Sequence, residues 1–330
     1  MATRTLIIGV GSIGHRHLRC FSQTDRATLS ICEINRSLAE EIAGQYPVEA
    51  IFNSLEEALQ DPPEAAVICA PAHLHIPMAH QLADLGIHLL IEKPLSTSLD
   101  DVDSLIEKVE GKGLTAAVAY VNRVNPLLAT LRNTILSGEY GEPMQLTLVS
   151  GQDFPFYRPA YRDIYYNDRA TGGGAIQDAL THAINVGQWL CGDIDGLVAD
   201  AKHQVLSGVE VEDTVHVIAR HGKTMASYSL NQFQAPTEST LTVACTKGTL
   251  RYQSHEQRLS GMTATEQPWQ VLQETSLERD DMFVAQANMF LDAIAGKGTV
   301  ACTLAEGLET LRANLAILNS VDQGFDRFSY

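Results

Sequence analysis

The feature that most constrains the fold of this chain is a glycine-rich turn near its N-terminus, Gly9-Val10-Gly11-Ser12-Ile13-Gly14. The turn follows the apolar run Thr5–Ile8, which is typical of a strand, and opens the helical pattern Ile13–Phe21. In such a context the first glycine permits a tight turn, the second lets the backbone approach an anion, and the third lets helix and strand pack closely. The pattern predicts a helix N-terminus that receives a phosphate-bearing ligand.

The next hundred residues support this prediction, because short apolar runs alternate with helical patterns. The predicted strands are Thr5–Ile8, Ala27–Cys32, Ala65–Ala70, His88–Ile91 and Leu114–Tyr120, and the predicted helices are Ile13–Phe21, Arg36–Gln45, Leu55–Asp61, Ile76–Gly86 and Leu99–Gly111. Alternating strands and helices indicate an α/β fold with a doubly wound parallel sheet of the Rossmann type. We therefore expect residues 1–121 to form a dinucleotide-binding domain.

The pattern changes after about residue 144, where strand-like segments follow one another. These segments are Met144–Ser150, Thr214–Arg220, Thr224–Gln232 and Leu241–Tyr252, the last with a turn at Lys247-Gly248, and two helical patterns follow at Met282–Ala295 and Leu304–Asn319. Period-two alternation of apolar and polar residues favours an antiparallel sheet. We therefore predict a second domain of the α+β class over residues 122–330.

Charge and cysteine content exclude several classes of function. Lys and Arg number 23 against 40 Asp and Glu, a formal net charge of −17. Such a chain lacks the clustered positive charge that nucleic acid and anionic membranes require, so we expect neither as a partner. The six cysteines form no CxxC pair, which argues against a zinc site and a disulfide framework. We expect no metal, no membrane span and a reducing cytoplasmic location.

An acidic residue follows the second predicted strand at the position that a dinucleotide requires. Glu33 lies 19 residues beyond Gly14. A carboxylate there accepts hydrogen bonds from the adenosine ribose and repels a 2′-phosphate, which favours NAD over NADP. Arg36, three residues further on, could accommodate that phosphate, so NADP remains the less favoured alternative.

Four motifs in order resemble those of one enzyme family. The glycine turn is followed by Ala70-Pro71-Ala72-His73-Leu74-His75, by Glu92-Lys93-Pro94, and by a glycine-rich segment from Gly172 to His182. This series resembles that of the glucose-fructose oxidoreductase, inositol dehydrogenase and MocA (Gfo/Idh/MocA) family. The resemblance implies an NAD(P)-dependent oxidoreductase that acts on a secondary alcohol of a sugar, polyol or sugar derivative. It also implies a large, mostly antiparallel sheet in the second domain and a homo-oligomer, either a dimer or a tetramer.

The resemblance also assigns site residues. It implies a catalytic set of Lys93, Asp178 and His182. The cofactor-binding residues would be Gly9, Gly11, Ser12, Ile13, Gly14, Glu33, Ala70, Pro71, His75, Glu92, Lys93 and Asn122, and the substrate-binding residues would be Arg123, Tyr161, Arg162, Asp178 and His182. For Arg123, a hydrogen-bonded hinge between the domains is an equally good interpretation. The chain departs from the common family pattern at Ala179, Thr181 and Asn185, which bears on the substrate more than on the reaction.

Chemical reasoning from the residues agrees with the catalytic set. Oxidation of an alcohol requires a base for the hydroxyl proton and a cation for the developing alkoxide. Asp178 and His182 are four residues apart, so on a helix they share one face, and an apolar opposite face would turn them toward a cleft. We assign His182 as general base, Lys93 as alkoxide stabiliser and Asp178 as orienting carboxylate. The reverse assignment of Lys93 and His182 stays open, and an exposed Asp/His pair that only supports the helix is the structural alternative.

The segment from Phe154 to Arg169 is rich in tyrosine and arginine, which stack on sugar rings and pair with carboxylate or phosphate. Its alternative interpretation is a connection packed against the sheet or at a subunit interface. Two other functions also fit this sequence. One is a glycosidase that transiently oxidises its substrate with bound NAD, and the other is a non-catalytic regulator that senses a dinucleotide.

Overall fold

The computed structural model describes residues 2–324 and divides the chain into two compact units. Unit 1 comprises the chain up to Val124 together with Glu278–Leu308, and unit 2 comprises Asn125–Leu277 together with the described residues from Glu309 onward. The predicted domain ranges, 1–121 and 122–330, do not include this return of the chain to unit 1. They remain a prediction about how the domains are delimited.

Unit 1 contains a six-stranded parallel sheet in the order β3-β2-β1-β4-β5-β6. Its strands are β1 (Thr3–Ile8), β2 (Ala27–Cys32), β3 (Val48–Phe52), β4 (Ala65–Ile68), β5 (His88–Ile91) and β6 (Ala116–Val118). Its helices are α1 (Ser12–Ser22), α2 (Arg36–Ala43), α3 (Leu55–Ala58), α4 (His75–Asp84) and α5 (Val102–Gly111). This strand order is that of a Rossmann fold, and it confirms the predicted fold class.

One strand of this sheet, β3, is absent from the sequence-based prediction. It reads Val-Glu-Ala-Ile-Phe and lies at the edge of the sheet, with none of its residues fully buried. Five residues are too few to show a periodic pattern, and pairing with β2 stabilises this edge strand.

Unit 2 is built on an eight-stranded sheet in the order β14-β13-β12-β11-β7-β10-β9-β8. Its strands are β7 (Pro143–Asp153), β8 (Gly196–Lys202), β9 (Thr214–His221), β10 (Thr224–Asn231), β11 (Phe233–Cys245), β12 (Gly248–Gln253), β13 (Arg258–Met262) and β14 (Gln270–Glu274). Its helices are α6 (Pro126–Ser137), the single turn α7 (Phe154–Tyr157) and α8 (Thr181–Cys191). All neighbours pair antiparallel except β7 and β10, which are parallel, so the sheet is mostly antiparallel as predicted.

The two faces of this sheet differ in burial, as the period-two alternation predicts. In β9, Val215, Val217 and Ala219 are buried while Ile218 is 59% exposed. The buried face packs with apolar residues of α6 and α8 in one continuous core. The opposite face leaves large apolar side chains in solvent. The sequence-based prediction missed β8, β13 and β14, whose apolar patterns are short or interrupted by polar residues. It also missed α6, although Leu127, Leu131 and Ile135 recur at helical spacing there.

Two C-terminal helices complete the described chain, α9 (Asp281–Ile294) and α10 (Leu304–Gln323). Both correspond to predicted helices. Phe290 of α9 is buried in the apolar core of unit 1, and the Val118 amide of β6 donates to the Cys302 carbonyl at 3.0 Å. These contacts explain why residues 278–308 belong to unit 1.

The six cysteines are free thiols, and the cytoplasmic location inferred from them stays a prediction. Within residues 2–324, no helix combines the length and apolar character needed to cross a bilayer.

Candidate functional site

The glycine turn lies at the carboxyl end of β1, where the strand order reverses toward β4. Gly9 has a φ of +80°, and a Cβ at Gly14 would lie 1.8 Å from the Gly9 carbonyl oxygen. Both positions therefore require glycine, one for its backbone conformation and the other for close packing of helix on strand. Around a Cβ placed at Gly11, by contrast, no atom lies within 4 Å.

Gly11 precedes α1 and no side chain caps that helix. Gly11 and the next residue, Ser12, are exposed, whereas Ile13 is half-buried. A helix start with open space and no capping side chain offers backbone N–H groups and a positive dipole end to an anion. This geometry fits the pyrophosphate of a dinucleotide.

Glu33 follows β2 and is half-buried beside the glycine turn. Its Oε2 accepts the Val10 amide at 2.9 Å and its Oε1 accepts the Asn35 amide at 2.9 Å. Each carboxylate oxygen has a second lone pair, so ribose hydroxyls can still donate to it. Arg36 lies on the exposed surface and donates from Nε to Glu40 Oε1 at 2.6 Å. Ile34, which directly follows Glu33, is 88% exposed.

The segment after β4 is held by a buried histidine. His75 is 1% exposed, with Nε2 2.8 Å from the Ala70 carbonyl oxygen and Nδ1 3.0 Å from the Pro94 carbonyl oxygen. Burial lowers the pKa of this imidazole, so a neutral ring donates to one of the two carbonyls. Both ring nitrogens face backbone, which indicates that His75 shapes the predicted cofactor loop around Pro71 and does not present a polar atom to a cofactor.

Glu92 and Lys93 follow β5, and only the lysine is partly exposed. Glu92 is 4% exposed; its Oε1 lies 2.7 Å from His17 Nε2 and its Oε2 accepts the Lys93 amide at 2.9 Å. Burial alone would raise the pKa of Glu92, but the hydrogen bond and charge of His17, together with Lys93, lower it below its usual value. The carboxylate is therefore occupied within unit 1, and direct cofactor binding by Glu92 is not what this geometry favours.

Asn122 and Arg123 lie on the single turn Val121–Val124. Asn122 is half-buried, whereas the Arg123 side chain is 2% exposed and donates from Nη1 to Glu306 Oε1 at 2.8 Å. Burial acts to raise the pKa of Glu306, yet the Thr303 amide and Arg123 lower it. This pair, with Arg123 buried and Glu306 partly exposed, joins the end of the first chain segment to the start of α10 within unit 1. The substrate-binding and hinge roles of Arg123 both stay predictions.

Asp178 and His182 lie on a continuous helical segment, but the segment is not uniform. Ile176–Leu180 forms a π-helical turn that leads directly into α8. Asp178 is 9% exposed and His182 is half-buried. The apolar side predicted to be buried is buried, as at Ile176 and Leu180, and residues on the other sides of the helix, such as Gln177, are buried as well. A widened turn often marks a functional site.

The Tyr/Arg segment contributes a residue that the sequence-based assignment missed. Tyr165 donates its hydroxyl to Asp178 Oδ1 at 2.7 Å, and its ring is 38% exposed. A phenol at this distance orients the carboxylate and extends the site toward solvent. The signal was present in the density of tyrosines before the triple glycine, but the spacing alone does not tell which tyrosine reaches Asp178.

The two residues of that segment predicted to bind substrate both donate hydrogen bonds to Ser207. Tyr161 is 1% exposed and donates to the Ser207 carbonyl at 2.7 Å. Arg162 donates to the Ser207 carbonyl and hydroxyl, each at 2.7 Å, and its guanidinium lies 4.5 Å from the Tyr161 ring centroid. These contacts are those of a packed connection, and a substrate contact by Tyr161 or Arg162 stays a prediction.

The start of the Asp178 segment is fixed by a buried carboxylate. Glu212 accepts the Ile176 amide at 3.1 Å and Arg169 Nε at 2.8 Å. Gly174 has a φ of +86°, and a Cβ there would lie 2.4 Å from Glu212. The triple glycine therefore lets the chain pass close to Glu212, which positions the helix that follows.

The departures from the family pattern have structural roles. Asn185 is 1% exposed and donates to the Thr310 hydroxyl of α10 at 3.0 Å, while Thr181 accepts from Asn314 at 2.8 Å. Both pairs join α8 to α10 inside unit 2. Asn185 and Thr181 therefore stabilise the packing of the helix that carries His182. For metals, residues 2–324 contain no group of three or more His, Cys, Asp or Glu arranged to hold an ion.

Comparison with known proteins agrees with this architecture. The oxidoreductase family model with an NAD-binding Rossmann fold (GFO_IDH_MocA) matches residues 3–120, and the C-terminal domain model of the same family matches residues 128–251. The fold and the glycine turn are those of an oxidoreductase family with an NAD-binding Rossmann fold. The chain belongs to the Gfo/Idh/MocA family, as its motifs predict.

The curated relatives match this chain at low identity and over part of its length. An uncharacterized oxidoreductase (YrbE) of Bacillus subtilis is 28% identical over 57% of this chain and 53% of its own length. The scyllo-inositol 2-dehydrogenase (NAD(+)) of the same organism is 28% identical over 43% of this chain and 42% of its own. The chain thus spans about half the length of the curated relatives it matches. A solved levoglucosan dehydrogenase, in complex with NADH and levoglucosan, shares the fold with a TM-score of 0.88, 21% identity and 98% coverage of both chains.

Proposed function

We propose that this protein is an NAD-dependent dehydrogenase that oxidises a secondary alcohol of a sugar, polyol or sugar derivative. The observation that carries the proposal is the open, uncapped start of α1 at Gly11, flanked by two glycines that tolerate no side chain. Family membership and the names of the relatives support the same reaction class. When bound, the nicotinamide ring accepts the hydride that leaves the alcohol carbon.

The preference for NAD rests on the end of β2. Glu33 places a carboxylate beside the glycine turn, and the exposed neighbour Ile34 is apolar and offers a 2′-phosphate no hydrogen bond. Arg36, which could bind that phosphate, pairs with Glu40. Calorimetric titration with NADH and NADPH tests this preference. We expect NADH to bind at least about tenfold more tightly, an advantage of roughly 1.4 kcal/mol, and tighter binding of NADPH would overturn the assignment.

The chain supplies the groups that alcohol oxidation needs. We propose that His182 takes the hydroxyl proton on its imidazole and that the Lys93 ammonium stabilises the alkoxide. Asp178, held by the Tyr165 hydroxyl at 2.7 Å, orients the substrate and the imidazole. Sugars present several hydroxyl groups on a ring, and a carboxylate beside a partly exposed tyrosine provides both an acceptor and a stacking face for them.

The decisive experiment follows the absorbance of reduced nicotinamide with purified protein, NAD or NADP, and a panel of inositols, aldoses, sugar acids and nucleotide sugars. Lys93→Met and His182→Gln should abolish turnover while NADH still binds. Lys223→Met is the matched control, because that side chain is 79% exposed and pairs only loosely with Glu142 at 3.5 Å. Release of free sugar without net reduction would favour the glycosidase, and NADH binding without any turnover would favour the regulator.

We also propose that a second copy of the chain covers the exposed face of the eight-stranded sheet. Val198 and Ile218 are register partners on β8 and β9 and are 52% and 59% exposed. Met225 on β10 and Val149 on β7 continue this face, at 51% and 53% exposure. Several large apolar side chains exposed on one face of a sheet favour an interface. Sedimentation velocity should show a dimer or tetramer that Ile218→Glu dissociates, and a wild-type monomer would refute the assignment.

A further inference from the structure

A buried histidine on α1 connects the glycine turn to the lysine after β5. His17 lies three residues beyond Gly14 and is 1% exposed. Its Nε2 lies 2.7 Å from Glu92 Oε1, and because an ionised carboxylate only accepts hydrogen bonds, Nε2 carries the proton and donates. The other oxygen of Glu92 accepts the backbone amide of Lys93 at 2.9 Å. One carboxylate therefore spans an imidazole of α1 and the main chain of the lysine.

The surroundings of this pair make it rigid. The His17 ring meets the Phe283 ring edge to face, with centroids 5.5 Å apart, and Glu92 is 4% exposed. A buried carboxylate without a hydrogen-bond donor is unfavourable in free energy, which favours the conformation in which Glu92 accepts from His17 and from the Lys93 amide. The 2.7 Å distance is that of a charge-assisted hydrogen bond, which is stronger than one between neutral groups.

We propose that His17 is a positioning residue for Lys93: through Glu92 it fixes the Lys93 main chain relative to α1, the helix whose N-terminus receives the dinucleotide. The inference rests on the proposed dehydrogenase function for its kinetic consequence. It gives His17 and Glu92 a role that requires neither side chain to contact the cofactor or the substrate. Displacement of a catalytic group by about 1 Å can lower a rate by about a hundredfold. We therefore expect loss of the link from His17 through Glu92 to Lys93 to lower kcat more than it weakens cofactor binding.

Two substitutions separate the hydrogen bond from the packing. His17→Met fills the site but removes the donor, whereas His17→Gln places an amide N–H near the former Nε2 position. In His17→Met we expect the Lys93 amide to exchange with solvent about tenfold faster, kcat to fall about 10- to 100-fold, and the Kd for NADH to change less than about threefold. His17→Gln should restore exchange and kcat to within about threefold of wild type.

A matched control is His221→Met, which removes another buried, hydrogen-bonded imidazole. His221 lies in unit 2 and contacts the Tyr228 hydroxyl at 2.8 Å. Its loss should leave exchange at Lys93 unchanged. If His17→Met does not fold, His17→Asn takes its place, since the shorter amide falls short of Glu92 and should behave as the methionine was expected to.

Each outcome decides between the explanations. Wild-type exchange at Lys93 in His17→Met would overturn the inference, as would a glutamine variant no better than the methionine one. A fall in kcat matched by weaker NADH binding would show that His17 acts on the cofactor helix alone, which also overturns it. The amide-exchange measurement needs no substrate. A wild-type protein with no turnover would therefore reject the proposed function while the exchange result still tests the link between His17 and Lys93.

Discussion

Alanine substitutions at two glycines of the same turn should both weaken NADH binding but should differ in their effect on stability. At Gly14 an added Cβ would lie 1.8 Å from the Gly9 carbonyl oxygen, and ordinary contact begins near 3.4 Å, so helix and strand must move apart by about 1.6 Å. Overpacking of this kind costs about 1–3 kcal/mol or more. For a unit of this size the loss corresponds to a fall in Tm of about 2–12 °C. The N-terminal amides of α1 move with the helix, so Gly14→Ala should also weaken NADH binding.

Gly11→Ala tests the binding surface without that strain. Gly11 has an ordinary φ of −59° and no atom within 4 Å of an added Cβ. Its free energy of unfolding should stay within about 1 kcal/mol of wild type, or rise slightly, and Tm should follow. The methyl group would occupy the space expected for the pyrophosphate, so the Kd for NADH should increase at least about tenfold. Calorimetric binding and thermal unfolding of both variants measure this pair. Wild-type NADH affinity in Gly11→Ala would refute the assigned path of the dinucleotide, and an unchanged Tm in Gly14→Ala would refute the close packing.

Three further predictions follow from single contacts. Tyr165→Phe removes the 2.7 Å hydrogen bond to Asp178 and should lower kcat about tenfold with little change in Tm; unaltered kinetics would exclude this tyrosine from the site. Burial lowers the pKa values of His75 and His221 below 6.5 in the folded protein. As pH decreases below about 6.5, the unfolded chain therefore binds protons at these histidines more readily than the folded chain does, and stability should fall. Tm values that stay constant from pH 8 to pH 5 would contradict this. Thr310→Val breaks two buried hydrogen bonds between α8 and α10 and should reduce the free energy of unfolding, measured by urea denaturation, by about 1–3 kcal/mol. A loss under about 0.5 kcal/mol would show that these two hydrogen bonds contribute little to stability.

Much of unit 1 could be predicted because its signals are local. The strand, glycine turn and helix at Thr3–Ser22 are contiguous, and Gly9 and Gly14 have steric reasons that the sequence pattern already expresses. In unit 2 the strands β9 and β10 show clear alternation and were predicted, whereas β13 and β14 were not. Strands that are short or lie near a sheet edge depend on their neighbours, and pairing across the sheet is invisible to a local pattern.

The candidate site shows the same division. Spacing identified Asp178 and His182, but it could not show that Tyr165 reaches the carboxylate while Tyr161 is buried against Ser207. These two tyrosines belong to one segment of the sequence, and only the folded structure determines which residue each of them contacts. The partners of Glu92 illustrate the point further, since His17 is 75 residues away in the sequence.

The sequence by itself determined the dinucleotide-binding architecture, the family and the residue types available for the reaction, because periodicity, glycine sterics and motif order are properties of contiguous residues. Tertiary structure alone decided which polar groups are already occupied. His75, Glu92, Arg123 and Arg162 all look available in the sequence, yet each is engaged by a carbonyl, an imidazole or a carboxylate distant in the chain. Buried polar groups must find hydrogen-bond partners, and the identity of those partners depends on the folded chain.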